Sequence, residues 1–202
     1  MLWRLLWIIA TTAGLIVGGF ILHFPGSYGG IVEWDPAAVI FGGILGFLTG
    51  VFVGVGQWAA LLLPRRTGVK LLLVMGIGIG VTHALMDGAP SSVPLVLLAA
   101  MSGAAITAAL AFYVDERRPA VLGASFLGWA GGLLIAPQVT LALGLPWSET
   151  PVGWSTEHAF AGAIVGLAWA VSTAASGLLD VLKPARGIEP PLSALATEQS
   201  DA

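Results

Sequence analysis

Eight basic residues constrain this chain most, because all of them fall in alternate gaps between six apolar stretches. The stretches run Leu5–Phe24, Ala37–Leu63, Val69–Leu85, Val93–Val114, Ala120–Ala136 and Ala159–Leu182, and the fifth can alternatively continue past Pro137 toward Leu145 with a kink. Each lies near the ~20 residues that a helix needs to cross hydrocarbon. Arg4 precedes the first stretch, and Arg65, Arg66 and Lys70 sit at the junction of the second and third. Arg117 and Arg118 separate the fourth and fifth, and Lys183 and Arg186 follow the sixth. Five or seven spans would scatter these cations over both faces. Six put them all on one face, which the positive-inside rule makes cytoplasmic. The expected fold is an all-α integral membrane bundle of six transmembrane helices, both termini cytoplasmic, in a bacterial-type inner membrane.

Charge content agrees. Only 9% of residues are charged, against about 25% in an ordinary soluble domain. So few charges cannot cover a water-facing surface, and the apolar excess must meet lipid. No cysteine occurs, which removes disulfides, thiolate metal sites and cysteine nucleophiles from consideration. With a net charge of −3 and its cations beside the spans, the chain has no nucleic-acid footprint. The run after Arg4 reads as a retained helix, since it reaches Phe24 without a small-x-small cleavage site. Trp3, Trp7 and Tyr113 are expected at the inner interface, and Tyr28, Trp34, Trp147 and Trp154 at the outer one. Residues 1–182 form the membrane domain; residues 183–202, with Pro184, Pro190 and Pro191, read as a disordered cytoplasmic tail.

Gly42, Gly46, Gly50 and Gly54 recur every four residues in the second stretch. That spacing keeps them near one helical face, where a neighbouring helix can approach bare backbone. The neighbour is expected within the chain, with a homo-oligomer or membrane-complex partner as the alternative. An echo at an offset of 52 pairs Arg65-Arg66 with Arg117-Arg118, Gly76 with Gly128 and Gly80 with Gly132. It suggests a helical hairpin repeated three times. The segment Gly50-x3-Gly54-x-Gly56-Gln57-Trp58, running into Arg65-Arg66, resembles uncharacterised bacterial polytopic membrane proteins in which a glycine-rich helix ends in Gln-Trp and paired arginines. The resemblance spans the second and third helices and implies membrane residence without a specific activity.

Charged residues are costly at mid-membrane, so an ionisable group there is a functional candidate by default. Here the span centres hold almost none, and polar groups gather at the outer edge. His23, His83 and His158 all lie there, with Asp87 and Glu157. His83 and Asp87, four apart, share a face if the third helix extends that far. Imidazole and carboxylate together suit Zn²⁺, Ni²⁺ or Co²⁺, so the five form a candidate metal set. Against it stands helix capping: Asp35-Pro36 for the second helix, Ser92 for the fourth and Thr156-Glu157 for the sixth. Gln57 is suited to a cross-helix hydrogen bond, and Asp180 to a surface pair with Lys183. Thr49, Thr82, Ser102, Thr107, Ser125, Ser172, Thr173 and Ser176 are expected to bond back to their own helices. Met101-Ser102-Gly103 is not a nucleophile motif, since no histidine lies at its depth.

The expectation is a noncatalytic membrane component or accessory subunit without a cofactor, bound by membrane lipid. A small-solute permease, sharpest for a divalent metal at the outer cluster, is the alternative. Lipid or pigment binding around Trp129 and Trp169 is a third class.

Overall fold

The structure is a computed structural model, which describes residues 1–21, 34–90, 92–114, 118–144 and 156–182. Its helices are α1 (Leu2–Ile21), α2 (Pro36–Leu61), α3 (Arg65–Gly88), α4 (Leu95–Tyr113), α5 (Pro119–Ala142), α6 (Thr156–Ala175) and the short α7 (Leu178–Leu182). Among the described residues six are long and apolar enough to span a membrane. The chain is a polytopic membrane protein, all-helical in its regular structure among the described residues. His23 and the expected tail at 183–202 lie outside the described residues.

Each long helix packs on its predecessor, and α6 returns to α1, so the six close an antiparallel ring in chain order. Large apolar side chains such as Phe41, Ile44, Phe52, Phe112 and Leu127 point away from the ring and are exposed, as lipid contact requires. At 26 residues, α2 is about 39 Å long, more than the ~30 Å of hydrocarbon, an excess that such helices meet by tilting, kinking or thickening the bilayer locally.

The ring is tightest where glycine removes side chains. A Cβ at Gly46 would lie 2.7 Å from the His83 Cβ, and one at Gly54 would lie 2.9 Å from the Leu72 Cα. At Gly50 it would run into the Met75 carbonyl. The α2 ladder thus lies directly on α3. Between α1 and α6, Gly162 abuts the Leu15 carbonyl and Gly166 the Thr12 Cα. In a bilayer, where lipid tails are as apolar as leucine, such close approach is a main source of association. The glycines matched at an offset of 52 serve opposite seams. Gly76 and Gly80 meet α2, the helix before theirs, whereas Gly128 and Gly132 meet α6, the helix after theirs.

Several local expectations need correcting. The last span is not continuous to Leu182: α6 stops at Ala175, Gly177 adopts φ +94, and α7 turns beneath the bundle with Leu178, Leu179 and Leu182 buried. A left-handed backbone angle ends a helix and favours glycine, which has no Cβ to clash. The fifth span takes the longer of its two expected forms, passing through Pro137 as far as Ala142, and the Thr140 hydroxyl donates to the Ala136 and Pro137 carbonyls, each at 3.0 Å. The fourth helix is capped by Pro94 without any side-chain hydrogen bond, so Ser92 has no capping role. Asp35 does cap α2, its Oδ1 accepting from the Ala37 amide at 2.9 Å with Pro36 in the first turn. The side chains of Thr156 and Glu157 lie outside the described residues.

Candidate functional site: a buried histidine–aspartate pair and a tryptophan hub

Because α3 continues to Gly88, His83 and Asp87 stand one turn apart inside a regular helix. Both are buried, each 1% exposed, with Nδ1 and Oδ2 3.9 Å apart. That is ion-pair range for a protonated imidazole and too long for a direct hydrogen bond. The upper ladder of α2 makes room for the pair. A Cβ at Gly42 would meet the Asp87 Oδ2 at 2.5 Å, and one at Gly46 would meet the His83 ring carbon Cγ at 2.7 Å. The Asp35 amide donates to the Gly88 carbonyl at 3.2 Å, clamping the start of α2 to the end of α3.

His158 is also buried but belongs to another seam, with its carbonyl against Gly19 of α1. Among the described residues no group of three or more His, Asp or Glu side chains is placed to hold a metal ion. Of the five candidate donors, His83 and Asp87 come together; His23 and the Glu157 side chain lie outside the described residues. Structural zinc sites take four ligands and catalytic ones three. His83 and Asp87 supply two.

A second polar assembly, invisible in the sequence, lies nearer the arginine-bearing end. Trp7, expected at an interface, is instead fully buried, and its Nε1 donates to the Thr173 Oγ1 at 3.1 Å. Thr173 donates to the Trp169 carbonyl at 2.7 Å, and the Trp169 Nε1 donates to the Ser125 Oγ at 3.0 Å. Thr107 donates to the same Ser125 oxygen at 3.2 Å. The chain of bonds links α1, α6, α5 and α4. Ring centroids of Trp7 and Trp169 are 5.5 Å apart, and those of Trp129 and Trp169 are 6.1 Å apart at 88°. Edge-to-face contacts of this kind add about 0.5–1.5 kcal/mol beyond burial.

Thr107 and Ser125 therefore bond across helices rather than back to their own, while Thr82, Ser172, Thr173 and Ser176 do bond back. Thr49 and Ser102 have buried hydroxyls with no hydrogen-bond partner. The Gln57 Nε2 donates to the Thr11 Oγ1 at 2.7 Å, tying α2 to α1. Neither hub indole that donates has a local sequence signal, because Thr173 and Ser125 lie 166 and 44 residues away from their tryptophans.

No family model, curated protein or solved structure matches this chain.

Proposed function

We propose that this polytopic protein is a noncatalytic component of a bacterial inner membrane, a scaffold or accessory subunit with both termini cytoplasmic. The observation that carries the reading is the hub of Trp7, Trp129 and Trp169. Three of the bulkiest side chains fill the ring interior and are at most 1% exposed; hydrogen bonds lock Trp7 and Trp169 to neighbouring helices, and Trp129 is held by its edge-to-face contact with Trp169. A packed interior of this kind favours rigidity over a moving solute path. A crease of about 590 Å³ between α1 and α2, lined by Ala10, Ala13, Gly14, Gly56, Ala59 and Ala60 among others, adds support, since small residues let a second transmembrane helix pack closely. The test is purification in native lipid with mass spectrometry of everything retained. A stoichiometric protein partner supports the reading. Solute flux through vesicles containing the pure protein overturns it.

A second reading, a divalent-metal permease, is favoured by the buried His83–Asp87 pair. It requires that vesicles containing the protein take up Zn²⁺, Ni²⁺ or Co²⁺, and that His83→Ala abolishes the uptake.

A further inference from the structure

The cations of this chain are not equally provided for. Arg118 and Asp180 both reach the space beside Gly177, so the basic group at that corner has a carboxylate close by. Arg65, Arg66 and Lys70 differ. All three are exposed, and none makes an ion pair among the described residues. They occupy the first turn and a half of α3, a segment with no acidic residue in its first turn. Arg66 and Lys70 stand four apart, where like charges repel on a helix. All three also sit at the positive end of the helix dipole, where cations are disfavoured.

The backbone adds to the imbalance. Pro64 stands at the cap without a side-chain hydrogen bond. The first α3 amide to find a backbone partner is that of Gly68, which bonds the Pro64 carbonyl at 2.9 Å. Arg65, Arg66, Thr67, Val69 and Lys70 together line a depression of about 560 Å³. Its position is fixed by the tight turn before it. Leu62 takes the left-handed φ of 47, the Trp58 indole donates to the Leu63 carbonyl at 2.8 Å, and the same indole lies against Gly68. Leu62 and Val69 present exposed apolar side chains beside the cations. This is the level at which the apolar span begins, where phospholipid headgroups lie.

We propose that Arg65, Arg66 and Lys70 form a site for the phosphate of an anionic phospholipid, with Leu62 and Val69 against the upper part of its acyl chains. The anion offsets three adjacent like charges and meets the positive end of α3, while the lipid's apolar part remains in hydrocarbon. Basic pockets at the ends of transmembrane helices bind anionic headgroups by this chemistry. The site rests on the membrane-spanning bundle alone and is independent of the scaffold and permease readings.

The experiment is native mass spectrometry of the full chain in detergent, titrated with phosphatidylglycerol or with phosphatidylcholine of the same acyl composition. Phosphatidylglycerol is retained preferentially, and the preference falls about fivefold for each cation removed in R66Q, R66Q/K70Q and R65Q/R66Q/K70Q. The charge-keeping R65K/R66K/K70R retains a preference, and R4Q leaves it unchanged. Equal retention of the two lipids, or a triple glutamine variant that keeps the preference, overturns the proposal. Inorganic phosphate that binds the chain through these cations while phosphatidylglycerol is retained no better than phosphatidylcholine also overturns it, because the pocket is then a soluble-anion site. A photoactivatable phosphatidylglycerol added to the unmodified chain gives a readout that does not depend on how the variants fold. Labelling at Leu62–Lys70 supports the site, and labelling confined to other segments overturns it.

Discussion

The Asp87 carboxylate occupies the space that a side chain at position 42 would need, its Oδ2 lying 2.5 Å from where a Gly42 Cβ would stand. The glycine is therefore what allows an ionisable group to sit inside a helix–helix seam. Gly42→Ala is expected to cost about 1–3 kcal/mol, the usual penalty of overpacking. Adding Asp87→Ala should recover part of that loss, a coupling of about 0.5–3 kcal/mol between touching residues. Thermal unfolding of the four proteins in detergent closes the cycle, and strict additivity would show that the two do not meet.

The hub makes a different prediction. Ser125 accepts from both Trp169 and Thr107, so Ser125→Ala strands a buried indole N–H at a cost of about 1–3 kcal/mol. Trp169→Phe in the same background removes that donor and should shrink the cost of the serine substitution to the part due to the Thr107 hydrogen bond. An undiminished serine effect in the phenylalanine background would place its cause elsewhere.

Gln57 should matter less than its burial suggests. Its amide nitrogen bonds Thr11, but its Oε1 has no hydrogen-bond partner, and cross-helix hydrogen bonds in membranes average about 0.6 kcal/mol. Gln57→Leu, similar in volume, is expected to change stability by no more than about that amount. A loss several times larger points to a polar role that packing alone does not supply.

Orientation can be read with single cysteines, because the native chain has none. Leu62 is 86% exposed beside the arginines, and Trp34 is 47% exposed toward the other end. In sealed cells a membrane-impermeant thiol reagent should modify Trp34→Cys directly, and Leu62→Cys only after permeabilisation. The reverse pattern inverts the topology.

Much of this architecture was legible because its signals are periodic or strictly partitioned. Six apolar runs with cations in alternate gaps define six helices, and glycines every fourth residue mark a close-packed face. The i,i+4 spacing of His83 and Asp87 sufficed to place them together once α3 proved long enough. What stayed hidden depends on distant partners or on backbone angles. Trp7, three residues after Arg4, has the sequence signature of an interfacial anchor; Thr173 and Trp169, both on α6, are what bring it inside. Gly177 is one of 28 glycines, and nothing in its neighbours separates a left-handed turn from another packing contact. Hydroxyls default to their own helix, so the cross-helix bonds of Thr107 and Ser125 had no local cue.

Ring closure in chain order has a bearing on how the protein is made. Every seam but one joins consecutive helices, so each can zip up as soon as its second member enters the bilayer. The exception joins α1 to α6. Within the bundle α1 must wait for α6, keeping the backbone at Gly19 and the Leu15 carbonyl open to lipid or to a foreign helix until α6 enters the bilayer. Ribosome-stalled chains ending before α6 are thus the ones most prone to capture by an insertase or a neighbouring subunit.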